Sequence, residues 1–373
     1  MREKTAQAAG GAGAGSPTIK DIAELAGVTA GTVSRVVNGR PGVGAATRAR
    51  IEKLVAEHGY RINSSARQLS TGRSHTIAMV FPQHASEVVM HPVYPELLGA
   101  VGDAAEAADH DLLLVTVAAP DKLERAVDAM IRRRIDGAIL PAAGSRDRVR
   151  TALSKARIPT VTIGHRTTVS GSAWVDTTHD LAAEELTARL IRAGYRRLHM
   201  LNGPEHVSAC VLRSRGFWRA VEDAGGAVED AGSAVKDDGS TVEAAGGTVE
   251  AAEESHVPFD TAPARDAALD LLSARLRPTA VVAGSDLIAS AVLDAARQLS
   301  LRVPEDLAVT GFDDQTLARH TTPQLTTVRA PLREIGAAAV RILLAEIGNT
   351  SDRRRRILLP AEVVVRQSTP PGY

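Results

Sequence analysis

From Thr76 onward the chain alternates short apolar runs with amphipathic stretches, and that alternation leaves few folds open. The runs are TIAMVF, DLLLVTV, DGAILPA, IPTVTIG, RLHMLNG, TAVVAGS, LAVTGFD and AEVVVR. Each has the length of a strand, and stretches of about 12–18 residues with helical periodicity separate most of them. Parallel neighbours need long crossovers of this kind. The expectation is a doubly wound α/β architecture, and eight strands suffice for two parallel sheets. A chain of 373 residues, 44% of them hydrophobic, can fill two or three domains. No apolar run approaches the 18 or more residues of a membrane span, so no membrane partner is expected.

The segment before this region has another texture. Thr18 to Gly59 reads as three short helices. Thr18 is placed as an N-cap with Asp21 three residues on, and Ile19, Ile22, Ala23 and Ala26 share one face. Gly27 ends that helix. Thr29 caps the next, Val33, Val36 and Val37 anchor it, and Asn38-Gly39 stops it. The third runs from about Ala45 to Glu57, with Ile51, Leu54 and Val55 inward. Two short helices joined at a glycine form a helix-turn-helix pattern, and a second helix about 14 Å long fits a major groove about 12 Å wide. Thr29, Thr32, Ser34 and Asn38 are short hydrogen-bonders suited to phosphate oxygens, which fix register without reading sequence. An ordinary helical hairpin with a Ser/Thr-rich face has the same pattern, so the pattern alone leaves both readings standing. Charge leans toward the first. The chain is neutral overall, yet residues 18–73 hold nine Lys/Arg against four Asp/Glu, which points a polyanion at that end only.

The stretch TIKDIAELAGVTAGTVSRVVNGRPGVGAATRARIEKLVAEHGYRINSSARQLSTGRS resembles the N-terminal signature of the LacI/GalR family of transcriptional regulators. The α/β region after it resembles that family's effector-binding core. The resemblance implies a homodimer on a pseudo-palindromic operator in double-stranded DNA, with Ala30 and Gly31 facing base edges and Arg35 on the same face. Glycine costs a helix about 1 kcal/mol relative to alanine. Either the missing side chains let the helix seat close to the groove floor, or Gly31 is merely tolerated. Thr18, the cap of the first helix, joins the DNA-contacting set. The family's hinge helix falls on Asn63–Ser70, with Asn63 as its cap, Ala66 among its DNA contacts and Leu69 in the place of a leucine that wedges between central base pairs. Eight residues are too short for a stable isolated helix, so this one is expected to form on DNA. Ile62 stands where family members usually place proline.

In its core the family resembles periplasmic sugar-binding proteins, with two α/β subdomains and a ligand cleft between them. Carried over by position, Val93 and Tyr94 lie at the cleft wall, Arg213 binds effector, Phe259 is an aromatic platform and Asp313 an acidic partner. Ser285 stands where many members have asparagine, and His165 where many have aspartate, so the expected contact set is altered at both. An arginine, an aspartate and an aromatic face suit a polyhydroxylated ligand such as a sugar or sugar phosphate, held by Arg213 and Asp313 from opposite sides of the cleft. Without the resemblance, Arg213 reads equally as a surface helix residue and Asp313 as a crossover cap. The boundaries that follow are a disordered tail at 1–17, a helix-turn-helix head at 18–62 and a hinge at 63–74. One core subdomain takes 75–175 with 327–350, and the other takes 176–326 with 351–368.

Residues 225–252, GGAVEDA GSAVKDD GSTVEAA GGTVEAA, are four near-copies of seven residues. One valine per unit and repeated Gly-Gly or Gly-Ser argue against a coiled coil. A flexible, acidic surface loop is expected there, with a helical device as the alternative. The run RRRR at 353–356 reads as a solvated turn before the last strand. Cys210, the single cysteine, excludes an internal disulfide and a multi-cysteine metal site, and no cofactor or metal is expected. MREKTAQAAGGAGAGSP lacks the apolar segment of a secretory signal, which fits a cytoplasmic protein. Its GGAGAG lacks the preceding strand and following helix of a phosphate loop. A sensor without transcriptional output and an enzyme are the competing classes. The head argues against the sensor. The sequence holds no G-x-S-x-G elbow, Walker loop or cysteine/histidine metal cluster for an enzyme. With no leucine-heptad tail, a dimer is expected over a tetramer.

Overall fold

Residues 17–37, 39, 41–60, 73–91, 93–141, 148–164, 172–225, 242–243, 249–350 and 355–371 are described by a computed structural model of the chain. Two units appear, residues 1–74 and 75–373. In the smaller unit, Thr18 and Asp21 form a capping box ahead of α1 (Ile19–Ala26). The Asp21 N–H donates to Thr18 Oγ1 at 3.4 Å, and the Thr18 N–H donates to Asp21 Oδ2 at 2.7 Å. Gly27 stops the helix with φ 62°, a left-handed conformation that glycine adopts without strain. At the start of α2 (Ala30–Val37) the Thr32 N–H donates to Thr29 Oγ1 at 3.2 Å, and α3 (Ala45–Glu57) follows. Ile22, Ala23, Ala26, Val33, Val36 and Ile51 make the buried core, with Leu54 and Val55 half-buried against it. Residues 1–16 of the expected tail lie outside the described residues, and so do 61–72, which hold most of the expected hinge.

The larger unit carries strands β1 (Thr76–Phe81), β2 (Asp111–Thr116), β3 (Gly137–Pro141), β4 (Thr160–Ile163), β5 (Ala173–Thr177), β6 (Arg197–Asn202), β7 (Val242–Glu243), β8 (Ala251–His256), β9 (Ala280–Ala283), β10 (Ala308–Thr310), β11 (Thr327–Arg329), β12 (Arg356–Leu359) and β13 (Glu362–Val364). Its helices are α4 (Ala85–Met90), α5 (Tyr94–Ala107), α6 (Leu123–Arg132), α7 (Arg148–Lys155), α8 (His179–Arg192), α9 (Ser208–Asp223), α10 (Thr261–Ser273), α11 (Asp286–Gln298) and α12 (Leu332–Ile347). One sheet runs β12-β5-β4-β3-β1-β2, all parallel. A second runs β10-β9-β6-β8 in parallel, with β7 antiparallel on β8. Helices cover both faces of each sheet, as parallel crossovers require. All eight apolar runs are strands, and the doubly wound pair of sheets is present. Among the described residues, no helix is long and apolar enough to cross a membrane.

The structure departs from the expected boundaries in two places. β12 sits on β5 at the edge of the first sheet, so this part of 351–368 belongs with that sheet and not with the second subdomain. The cause is connectivity: after α12 packs on the first sheet, the chain adds a strand there before β13 crosses back to pair with β11. Within the former arginine run, Arg356 opens β12 and Arg355 pairs with Glu346 at 2.9 Å.

The acidic repeat is also not loop throughout. Val242–Glu243 pairs with Ala251–Ala252, and Val249 and Ala252 are fully buried in the second core, because the edge of β6 needs a strand to cover it. Residues 226–241 and 244–248 lie outside the described residues. Halving the segment 226–241 is expected to move the unfolding free energy by about 0.6 kcal/mol. A deletion carried through Ala252 is expected to cost about 2 kcal/mol or more, since it removes buried side chains and the start of β8. Urea unfolding of both variants is the check, and equal losses would remove the distinction.

Candidate functional site

On α2, Val33 and Val36 turn into the core while Thr29, Gly31 and Arg35 are exposed and Ala30, Thr32 and Ser34 are half-buried. Thr29 and Thr32 share a hydroxyl hydrogen bond of 3.0 Å, which rigidifies the first turn. A Cβ added at Gly31 would meet only Thr29 Oγ1, at 3.7 Å, so packing within the chain does not demand glycine there. Asn38, Asn63, Ala66 and Leu69 lie outside the described residues.

In the larger unit, parallel strands deliver their C-terminal ends to one crevice, where ligands of such sheets bind. A cavity of about 110 Å³ lies there, lined by Val93 and Tyr94 from the first sheet's side and by Arg213, Phe259 and Asp313 from the second's. Five of the seven expected effector residues are thus brought together. Ser285 is not. It is buried, and its Oγ accepts from the Ile288 N–H at 3.2 Å as the N-cap of α11. A serine oxygen there completes the helix end, so this position is a cap and not part of the cavity wall. His165 is outside the described residues, although Ile163 and Gly164 beside it line the cavity.

Arg213 and Asp313 do not face each other across the cleft. Both stand on the second sheet's side, Arg213 on α9 after β6 and Asp313 after β10, and they bond directly at 2.8 Å. The expected grip from opposite sides is replaced by a buried ion pair on one wall. Arg213 also donates to the Gly284 carbonyl, lies 3.5 Å from His179 Nδ1 and holds its guanidinium carbon 3.8 Å above the Phe312 ring. Its Nε is buried with no hydrogen-bond partner, which leaves one donor of the fork unused. Asp313 has φ 103°, in a region that aspartate adopts only at a cost, and its N–H donates to the Val328 carbonyl at 2.7 Å.

Sequence reasoning missed His91, Asp176 and His179, all of which line the cavity. His91 stacks on Tyr94 with ring centroids 3.7 Å apart and meets the edge of Phe259 at 5.5 Å, so aromatic contact spans the cleft. Burial pushes His91 down to about 4, with Arg213 adding to the effect against the pull of Asp313, and it stays neutral at pH 7. Burial likewise pushes the Tyr94 phenol up to about 12. His179 continues the polar wall to Asp176 at 3.4 Å. The available signal for His91 was its place in HPVY, next to the residues that were chosen.

Residues 18–63 match the family described as bacterial regulatory proteins, lacI family, and residues 187–369 match the periplasmic binding protein-like domain. The HTH-type transcriptional regulator CelR of Thermobifida fusca is 32% identical over 354 residues, covering 94% of this chain and 98% of its own. The ribose operon repressor of Escherichia coli K12 is 30% identical over 94% of this chain and 99% of its own. Among solved structures, a CelR–cellobiose complex aligns with TM-score 0.68 and 29% identity, covering 94% of this chain and 99% of that one. The lac repressor dimer bound to operator and the anti-inducer ONPF aligns with TM-score 0.77 at 23% identity, over 95% of this chain and 99% of that one, a likeness of fold. A matched reading head, a matched binding-protein core and regulators related along nearly the whole chain lead to one assignment: the protein belongs to the LacI family of bacterial regulatory proteins, as a DNA-binding transcriptional regulator and not an enzyme.

Proposed function

We propose that the protein is a homodimeric cytoplasmic repressor that binds a pseudo-palindromic operator and whose affinity for it is set by a sugar or sugar phosphate in the core cleft. One observation carries the effector half of this reading. The cavity between the sheets joins a stacked aromatic pair, Tyr94 and His91, to a buried arginine–aspartate pair on the facing wall. Aromatic faces suit the apolar side of a sugar ring, and paired charged groups suit its hydroxyls. Related proteins support the choice: CelR has been solved with cellobiose, and the E. coli relative governs a ribose operon. A ligand moves the DNA equilibrium by its difference in affinity between the two core arrangements.

For the reading half, the open space at Gly31 supports close seating of α2 in the major groove, with Ala30 able to touch a thymine methyl. Thr18, Thr29, Thr32, Ser34 and Asn38 hold phosphates, and Asn63, Ala66 and Leu69 add minor-groove contacts at the operator centre. So little side chain at Ala30 and Gly31 throws direct readout onto Arg35. Arg35→Ala is therefore expected to cost about 1–3 kcal/mol on the operator and to relax preference at one base per half-site. A titration against the gene's own upstream DNA at fixed salt tests it. Parental affinity and selectivity in the variant would sink the assignment.

A further inference from the structure

Asp286 opens α11 with no exposure to solvent. Its carboxyl joins two separate pieces of chain. Oδ1 takes the hydroxyl of Thr327, and Oδ2 accepts from the Gln315 N–H at 2.7 Å. Thr327 begins β11, in the passage that leaves the second sheet after β10 and reaches α12 on the first. Gln315 closes the turn 311–315, which presents Asp313 to the cleft. That turn is held in an unfavourable shape, with left-handed φ at both Asp313 (103°) and Asp314 (51°). Gly311 fits the same arrangement, because a Cβ there would collide with Asp286 Oδ1 and with Leu325. Asp314 fastens the other side of the turn, accepting from Arg366 and, at 2.8 Å, from Arg329 Nε, both near the crossovers.

We propose that Asp286 is a positioning residue of the regulatory core: it ties the turn presenting Asp313 to the crossover at Thr327, so that occupation of the cleft is transmitted to the segment joining the two sheets. This rests on the reading of the cleft as the effector site. The side chain does not touch the cavity; it acts through Asp313. Burial pushes the Asp286 carboxyl up to about 8, and the charge of Asp313 adds to it, while the bonds from Thr327 and Gln315 oppose it and Asp314 raises it slightly. Of these acids, Asp313 is paired with Arg213, and Asp314 with Arg329 and Arg366. A neutral acid still accepts from the Gln315 N–H at one oxygen, and its O–H can donate to the Thr327 hydroxyl oxygen in place of accepting from it, a set that an asparagine side chain reproduces.

The sign of the pH effect follows. The folded chain holds this proton to about pH 8, whereas the unfolded chain releases it near 3.8, so the parent loses stability relative to Asp286→Asn as pH rises between those values. Hydrogen exchange of the ligand-free, full-length protein, read by mass spectrometry at several pH values, tests the tie. Asp286→Ala is expected to speed exchange in peptides covering 311–315 and 326–328 together by about tenfold or more, leaving β1 peptides unchanged. Asp286→Asn is expected to keep parental protection at neutral pH and to lose the parent's fall in stability with rising pH. Parental protection in the alanine variant, or loosening of only one of the two segments, would overturn the proposal. Should the alanine variant not fold, Thr327→Val, which removes one of the two bonds, is read in its place, and parental protection of 311–315 in that variant would overturn the proposal. The assay contains no effector, so its failure is distinct from failure of the cleft reading, which falls if a panel of sugars and sugar phosphates leaves the parent's melting temperature and operator affinity unmoved.

Discussion

Arg213→Ala is expected to lower the stability of the core by about 3–5 kcal/mol, because it leaves Asp313 as an uncompensated charge in a buried site. Arg213 is 4% exposed and Asp313 6%, so the carboxylate loses its partner at a site that bulk water barely reaches. The deletion also strips the Gly284 carbonyl of a donor and the Phe312 face of its cation. Neutralising both members, Arg213→Met with Asp313→Asn, is expected to return much of that loss, since no unpaired charge is left buried and asparagine tolerates the φ of 103° at this position. A double-mutant cycle in urea therefore separates the pair's interaction from the cost of stranding one partner. Both variants are expected to lose sugar binding, because each removes the ion pair from the cavity wall. An Arg213→Ala core within 1 kcal/mol of the parent (about a fivefold change in the unfolding equilibrium) would mean the pair is not formed in the free protein.

Ile51→Ala is expected to abolish operator binding while leaving the larger unit's melting unchanged. Among the described residues, six buried side chains form the head core, and Ile51, at 0% exposure, is the buried contribution of α3 to it. A buried isoleucine cut to alanine costs about 2–5 kcal/mol. A domain of roughly 40 residues has little more than that to lose. Most head units should then be unfolded, and exchange in α1, α2 and α3 should become fast. Arg35→Ala makes the contrast, since an exposed arginine can be removed without opening the core. Protected head amides and parental operator affinity in Ile51→Ala would show that the head draws its stability from elsewhere.

Seven of the eight apolar runs lie in the parallel sheets, where strands covered on both faces announce themselves by composition, and the eighth, AEVVVR, pairs antiparallel with β11. β8 was not legible in this way. AAEESH has no apolar pattern, and Glu254 within it accepts from Asn202, Ser214 and Trp218, partners distant in sequence. β5, β11 and β12 are short and take their strand form from neighbours already in place. In the head, capping residues and the spacing of Ile22, Val33 and Ile51 were local signals, and α1, α2 and α3 stand where those signals put them.

The sequence by itself determined the alternation that builds the two sheets, and its resemblance to the family named part of the cleft's chemistry: Tyr94 and Phe259, one arginine and one aspartate, carried on units that end at the C-terminal edge of parallel strands. Only the tertiary structure decided which wall each occupies. Arg213 and Asp313 are a hundred residues apart, and that separation is compatible with facing sides or with one side. Strand order resolves it, because β6 and β10 belong to the same sheet and place both groups on the same wall, 2.8 Å apart. Ser285 shows the same limit from the other direction. Its place in the chain marked it for the cavity, and the start of α11 uses its hydroxyl instead, because an otherwise unpaired N–H of the first helical turn needs an acceptor there.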